Sequence, residues 1–509
     1  MEFSRTKNSS RTFIFGILEK ITFLLLPFII RIVVIKTLGV QYAGLSSLFN
    51  SVLSILSISE LGFGAAVTFC LYEPVAKDQN DKICSLLNAL RKIYKIVGGI
   101  ILLIGLSLMP FLPKLISGSA PSDINIYLLY GIYLLNSFSS YMGFAYKDVL
   151  FQVYQRGDIS HKIKSSVEII KCVLQCVALI LFKNYYLVIL CLLLSTILQT
   201  ILTGIISKKV FPKIKPFGKI DNNTKKIIRN KVTFLGLHSL SATLISSIDN
   251  IVISAFMGLA VIGIYGNYTY ISSAVLGFVM VVYSSIRPSI GNFLVTNTQE
   301  ENIKLHKAVS FSSFWIGTFC TACLVSLYQP FMNLWVGEAN MLSFVVVILV
   351  SSFFYFNVRT QFYTMCYIHT AGLWNKTLVP KIVASIINLI IDLVTVKYIG
   401  VVGIVLGSLL TYALILYPLD MIVVYKYVLK DDIKKALLKM TFETLLAAII
   451  VFATYLLCSL ITDSGFLGLF KRLSICISIP NIFLLLISHK TGTLQFFTSH
   501  FRKVIDRNK

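Results

Sequence analysis

Charge is scarce in this sequence. Asp, Glu, Lys and Arg together make up 13% of 509 residues, about half the share of a soluble domain. That is too little to coat a water-exposed surface. Acids are scarcest, with 22 Asp and Glu against 46 Lys and Arg. No G-x4-G-K-[ST] run occurs, which removes the usual phosphate cradle of an ATP-driven motor. No expected external loop exceeds about a dozen residues, where a polysaccharide polymerase would carry a long one. Asp431 and Asp432 lie among Lys430, Lys434 and Lys435. They form a solvated turn rather than the acidic site of a membrane glycosyltransferase. The cysteines fall mostly inside apolar runs and serve there as small hydrophobes. Cys320 and Cys323 have C-x-x-C spacing, but no second pair or histidine cluster accompanies them, so neither redox nor zinc chemistry is expected.

What is abundant is apolar length. Hydrophobic residues make up 56% of the chain, and the mean hydropathy is +0.81. Runs near the ~20 residues of a membrane-spanning helix recur throughout. They predict an all-α polytopic membrane protein with about 14 spans, near 12–37, 42–71, 93–113, 124–148, 164–183, 185–207, 231–257, 260–286, 307–331, 341–371, 377–399, 401–427, 438–461 and 470–489. The first run contains Glu19, Lys20 and Arg31 and lacks a small-residue cleavage site, so it reads as an uncleaved span.

The basic residues orient this scheme. With a cytoplasmic N-terminus, 36 Lys and Arg fall on the inside, six on the outside and four within spans. That alternation is the positive-inside pattern. It places both termini in the cytoplasm, and it makes the net charge of +24 a topology signal rather than a nucleic-acid footprint. The segment 208–230 is a basic cytoplasmic linker between an N-terminal half (1–207) and a C-terminal half (231–428), with residues 429–509 carrying the last two spans and a basic tail.

A weak repeat at an offset of 219 residues aligns Leu38-Gly39-Val40 with Met257-Gly258-Leu259, and Gly44-Leu45 with Gly263-Ile264. Six spans separate the copies, so they share one orientation, as in transporters that bind substrate between parallel halves.

Three stretches carry a family resemblance. They are R-x4-K-T-L-G-V-Q-Y-A-G-L from Arg31, E-L-G-F-G from Glu60, and L-Y-E-P-V-A from Leu71. Together with S-S-I-D-N-I-V-I-S-A-F-M-G from Ser246 and G-I-Y-G-N-Y from Gly263, they resemble the Wzx polysaccharide repeat-unit flippases of the multidrug/oligosaccharidyl-lipid/polysaccharide superfamily. The resemblance implies two six-helix lobes around a central cavity plus two C-terminal helices. It implies a cargo of polyprenyl-pyrophosphate-linked oligosaccharide, moved from the inner to the outer leaflet of a bacterial cytoplasmic membrane beside a polymerase and glycosyltransferases. A lipid II flippase and a MATE-type drug/cation antiporter are the alternatives on the same fold.

Charges inside the spans are the candidate site, because an ionised group in hydrocarbon costs roughly 3 kcal/mol or more. Glu60 lies about 16 Å from the nearer end of its expected span, on a polar stripe with Asn50, Ser54, Ser57, Gly64 and Thr68. Asp249 is similar, with Ser239, Thr243, Ser246 and Asn250 nearby. Both read either as gating carboxylates or carboxylates coupled to an H+ or Na+ gradient, or as structural acids that lock helices together, Asp249 by a pair with Arg31; no resident cofactor or metal is expected. Arg31 and Arg359 are expected cavity cations for a pyrophosphate, and Arg287, before Pro288, would meet the headgroup at the inner end. The alternative for Arg359 is a pair with a carboxylate such as Glu60. Lys20 and Lys171 are expected to snorkel, and Asp392 and Asp420 have no evident partner.

Overall fold

The computed structural model describes residues 5–57 and 63–490. Glu60 and the expected tail from 491 onward therefore lie outside the described residues. Those described are helical, with no strand among them. The helices divide by contact into two compact units, Met1–Gly263 and Ile264–Lys509.

The first unit begins with α1 (Arg5–Thr37), α2 (Val40–Leu56), α3 (Phe63–Ala76), α4 (Asn80–Leu108) and α5 (Ile126–Tyr141). It continues through α6 (Asp148–Val153), α7 (Gly157–Val177), α8 (Tyr185–Val210), α9 (Asn222–Met257) and the start of α10 (Leu259–Thr296). Local chemistry sets these ends. The Asn125 and Asn184 side chains each accept two backbone N–H bonds at the starts of α5 and α8, which satisfies donors that a helix leaves open. One apolar core joins Ala66, Leu71, Leu87, Leu150, Phe151, Val167 and Phe211.

The remainder of α10 opens the second unit. It is followed by α11 (Gln299–Val336), α12 (Phe344–Tyr363), the short α13 (His369–Ala371) and α14 (Trp374–Ile399). Next come α15 (Val401–Leu410), α16 (Tyr417–Val424), α17 (Ile433–Ser459) and α18 (Gly465–Lys490). Thr298 and Glu301 form a reciprocal capping box at the start of α11. A π turn, Thr411–Leu416, joins α15 to α16 just ahead of Pro418. Pro418 has no N–H to donate to the preceding turn, and the wider turn absorbs that loss. Phe311, Phe314, Tyr355, Ala447, Ile450 and Leu484 form a core shared by α11, α12, α17 and α18.

Eleven helices are long and apolar enough to cross a membrane among the described residues. The other expected spans fall on α2 with α3, on α5 and on α9. The helical, multi-pass character expected from hydropathy is what the structure has.

The repeat has a physical counterpart. Gly39 and Gly258, which its offset aligns, stand before α2 and α10 with φ of 113° and 86°, a region open mainly to glycine. Two aligned glycines then meet across these helices. A Cβ on Gly44 would stand 2.0 Å from the Leu259 carbonyl oxygen, and one on Gly263 would stand 2.3 Å from that of Val40. Only glycine permits so close an approach.

Candidate functional site

Arg359 is the most enclosed of the expected cations. It sits near the end of α12, 1% exposed. Its Nη2 donates to Glu443 Oε2 at 2.6 Å, Nη1 to the Ser310 carbonyl at 2.7 Å and Nε to the Tyr417 hydroxyl at 3.1 Å. Glu443, on α17, also meets Lys439 at 3.5 Å. Among the described residues the carboxylate that pairs with Arg359 is Glu443, while Glu60, offered by the sequence as an example of such a partner, lies outside them. Glu443 was missed, although the signal was available, since an acid inside an otherwise apolar run calls for a cation as much as the reverse.

A second buried pair lies between α14 and α16. Lys381 Nζ donates to Asp420 Oδ2 at 2.8 Å and reaches Thr364 Oγ1 at 3.0 Å, while Thr364 also donates to Asp420. Asp420 is wholly buried. Asp420 had no evident partner in the sequence, and Lys381, near the start of the expected span 377–399, is that partner.

Asp392 has its own niche. Asn388 Nδ2 lies 3.4 Å from Asp392 Oδ1 and 3.4 Å from Ser408 Oγ. A Cβ on Gly407 would come within 2.4 Å of Asp392 Oδ1, so this glycine makes room for the carboxylate. His306 is also buried, ringed by Phe362, Tyr363, Tyr367 and Tyr425. Neither of its ring nitrogens has a hydrogen-bond partner among the described residues.

The other expected site residues are placed as follows. Arg31 is partly buried and donates from Nη2 to the Gly263 carbonyl at 2.9 Å, tying α1 to the glycine crossing. Asp249 is buried on α9, and its neighbour Asn250 donates to Ser51 Oγ on α2 at 2.9 Å. Arg287 is half-buried on α10 and makes no hydrogen bond or ion pair among the described residues. Lys171 pairs with Glu168 at 2.6 Å, and Glu19 bonds His161 rather than the adjacent Lys20.

A cavity of about 280 Å³ lies between α11, α12 and α17, lined by Thr321, Ile348, Tyr355, Phe452 and Tyr455 among others. It has no charged lining residue, so it offers nothing to a pyrophosphate. No group of three or more His, Cys, Asp or Glu that would hold a metal occurs among the described residues.

The chain is similar over its length to solved membrane transporters. The lipid II flippase MurJ, in an inward closed conformation, superposes with a TM-score of 0.67 at 14% identity, covering 94% of this chain and 99% of that one. A MATE-family multidrug resistance transporter of the MOP superfamily in an inward-facing conformation gives 0.62 at 13%, covering 78% and 92%. A MOP-superfamily transporter from Pyrococcus furiosus gives 0.55 at 13%, covering 84% and 97%. These likenesses establish a shared polytopic fold, one that in these proteins moves ligands rather than catalysing a reaction. No curated protein sequence matches. Residues 9–294 match the family described as polysaccharide biosynthesis protein, and with more than half the chain covered, the protein belongs to that family.

Proposed function

We propose that this protein is a flippase. It moves polyprenyl-pyrophosphate-linked oligosaccharide repeat units from the inner to the outer leaflet of the cytoplasmic membrane for surface polysaccharide assembly. The observation that carries this reading is the polysaccharide-biosynthesis match over residues 9–294 in a chain whose fold is that of a lipid flippase over 94% of its length.

The mechanism follows from the cost of the cargo. A pyrophosphate and several sugars cannot cross hydrocarbon unaided. Two six-helix lobes (1–207 and 231–428) would enclose the headgroup while the prenyl tail stays in lipid. Alternating access of the lobes then carries the headgroup across. Both termini lie in the cytoplasm on this reading, following the basic-residue asymmetry, and a polymerase and glycosyltransferases act on either side of the step. Arg287, half-buried and unpaired among the described residues, is the first headgroup contact. Arg31, on α1, is a further cation assigned to the cargo, whereas Arg359 is held by Glu443, Ser310 and Tyr417. Glu60 and Asp249 are the carboxylates assigned to H+ or Na+ coupling.

The test is translocation in proteoliposomes holding purified protein and a polyprenyl-pyrophosphate oligosaccharide labelled on its sugar. Loss of the label's protection from a membrane-impermeant reagent, dependent on the protein, is the expected result. A folded protein that leaves several glycans protected overturns the reading. The MurJ likeness makes lipid II the second substrate to assay, and transport of lipid II alone would replace the repeat unit.

A further inference from the structure

Three expected cytoplasmic segments meet at one point of the first unit, and the charges they bring are all of one sign. The turn after α5 is pinned against α8. Gly143, at φ +66°, lies where a Cβ would touch Thr200 Oγ1 at 3.4 Å. The Phe144 ring covers Gly204 so closely that a Cβ there would stand 2.3 Å from it. Thr200, Gly204 and Lys208 are spaced by four along α8 and share one face. The turn that lies on this face therefore brings Lys147 beside Lys208. From α4, Arg91 acts electrostatically on both Tyr146 and Lys147.

Lys147 is only 9% exposed. Its ammonium lies 5.1 Å from the Phe144 ring centroid, but it makes no side-chain hydrogen bond or ion pair among the described residues. The adjacent acid gives no help. Asp148 is engaged by Ser160 Oγ at 2.6 Å and Lys164 Nζ at 3.2 Å. A buried cation without a counter-charge is unfavourable, and two further cations beside it add repulsion. A cation–π contact offsets only ~1–2 kcal/mol. Such an arrangement suits an anion.

We propose that Lys147, Arg91 and Lys208 form a binding site for a phosphate-class oxyanion, in the form of a phosphate or pyrophosphate group. Three cations from separate elements suit a multiply charged tetrahedral group with several acceptor oxygens, whereas a single carboxylate would satisfy at most two of them. The inference rests on the flippase reading and deepens it by naming a further site in the first unit that takes the substrate's pyrophosphate, yet the binding itself does not require translocation.

The test is thermal unfolding of the full-length protein in detergent, with inorganic pyrophosphate or farnesyl pyrophosphate as the probe. Wild type, Lys147→Met and the charge-keeping Lys147→Arg are compared. A rise of about 2 °C or more at saturating probe in wild type and Lys147→Arg, absent in Lys147→Met, is expected. If both probes act, free phosphate chemistry suffices. If only the prenylated one acts, the source is a lipid headgroup. No shift in wild type, or an equal shift in Lys147→Met, overturns the site. Binding that persists in a protein unable to flip any labelled glycan would leave this site standing while the flippase reading fails.

Discussion

Arg359 in the second unit and Lys147 in the first are 1% and 9% exposed, yet their surroundings differ in sign. Arg359 is met by a carboxylate, a hydroxyl and a carbonyl. Lys147 is met by an aromatic ring and two other cations. The first is a finished interaction. Its partners come from α11, α16 and α17, so it fastens those helices to α12 and leaves little for a ligand to take. The second is an unfinished one. The difference shows that burial of a charge does not by itself mark function, and that the balance of partners around it is the informative quantity.

Breaking the finished pair has the largest effect. Arg359→Met leaves Glu443 buried without its guanidinium and costs about 3–5 kcal/mol, read as a lower unfolding midpoint and a poor yield of monodisperse protein. Adding Glu443→Leu recovers most of that loss, because Lys439 is 39% exposed and can turn to water. A single variant as stable as wild type would remove Arg359 from this structural role. Asp420→Asn comes next, at about 2–3 kcal/mol. It strands Lys381, although Thr364 and the new amide keep some hydrogen bonds. Lys381→Met in the same background should restore part of the stability, and a double-mutant cycle measures how much.

The fold class was legible in the sequence because hydropathy and basic-residue alternation are one-dimensional signals. The repeat was legible too, and Gly44 and Gly263 acquired their meaning once the structure showed each against the other's helix. Partnerships were not legible. Glu443 lies 84 residues from Arg359 and Asp420 lies 39 from Lys381, and no helical period fixes which faces of separate helices meet. Lys147, at the edge of the expected span 124–148, carries no distinguishing signal in the sequence. Its burial depends on Phe144 seating on Gly204, a contact between elements that neither segment reveals alone.

In the first unit the sign reverses. Lys147→Met removes a buried like-charge contact, so the ligand-free protein should gain up to about 1 kcal/mol. Its pH dependence sharpens the comparison. Lys147 lies in the turn between α5 and α6, where burial, with Lys208 and Arg91 nearby, lowers its pKa from the ordinary lysine value. Between that lowered value and ~10.5 the unfolded chain holds more protons than the folded one. The lysine's contribution to stability therefore rises with pH through that window. The advantage of Lys147→Met should narrow as the pH is raised toward ~10.5, followed by parallel unfolding curves. A widening gap would mean that the lysine has a counter-charge after all.

The smallest effect on stability is expected at Arg287, and there the comparison bears most directly on transport. This side chain is half-buried on α10 and makes no hydrogen bond or ion pair among the described residues. Arg287→Gln therefore breaks nothing and should shift stability by no more than about 0.5 kcal/mol. If unfinished cations are those kept for the headgroup, the same variant should slow proteoliposome translocation about tenfold, the equivalent of one charge-assisted hydrogen bond. Arg287→Lys should fall between the two, because an ammonium keeps the charge and loses the fork. A stable variant that flips at the wild-type rate would dissociate unpaired charge from substrate contact at this position. A strongly destabilised one would place Arg287 with Arg359, among the residues that hold helices together.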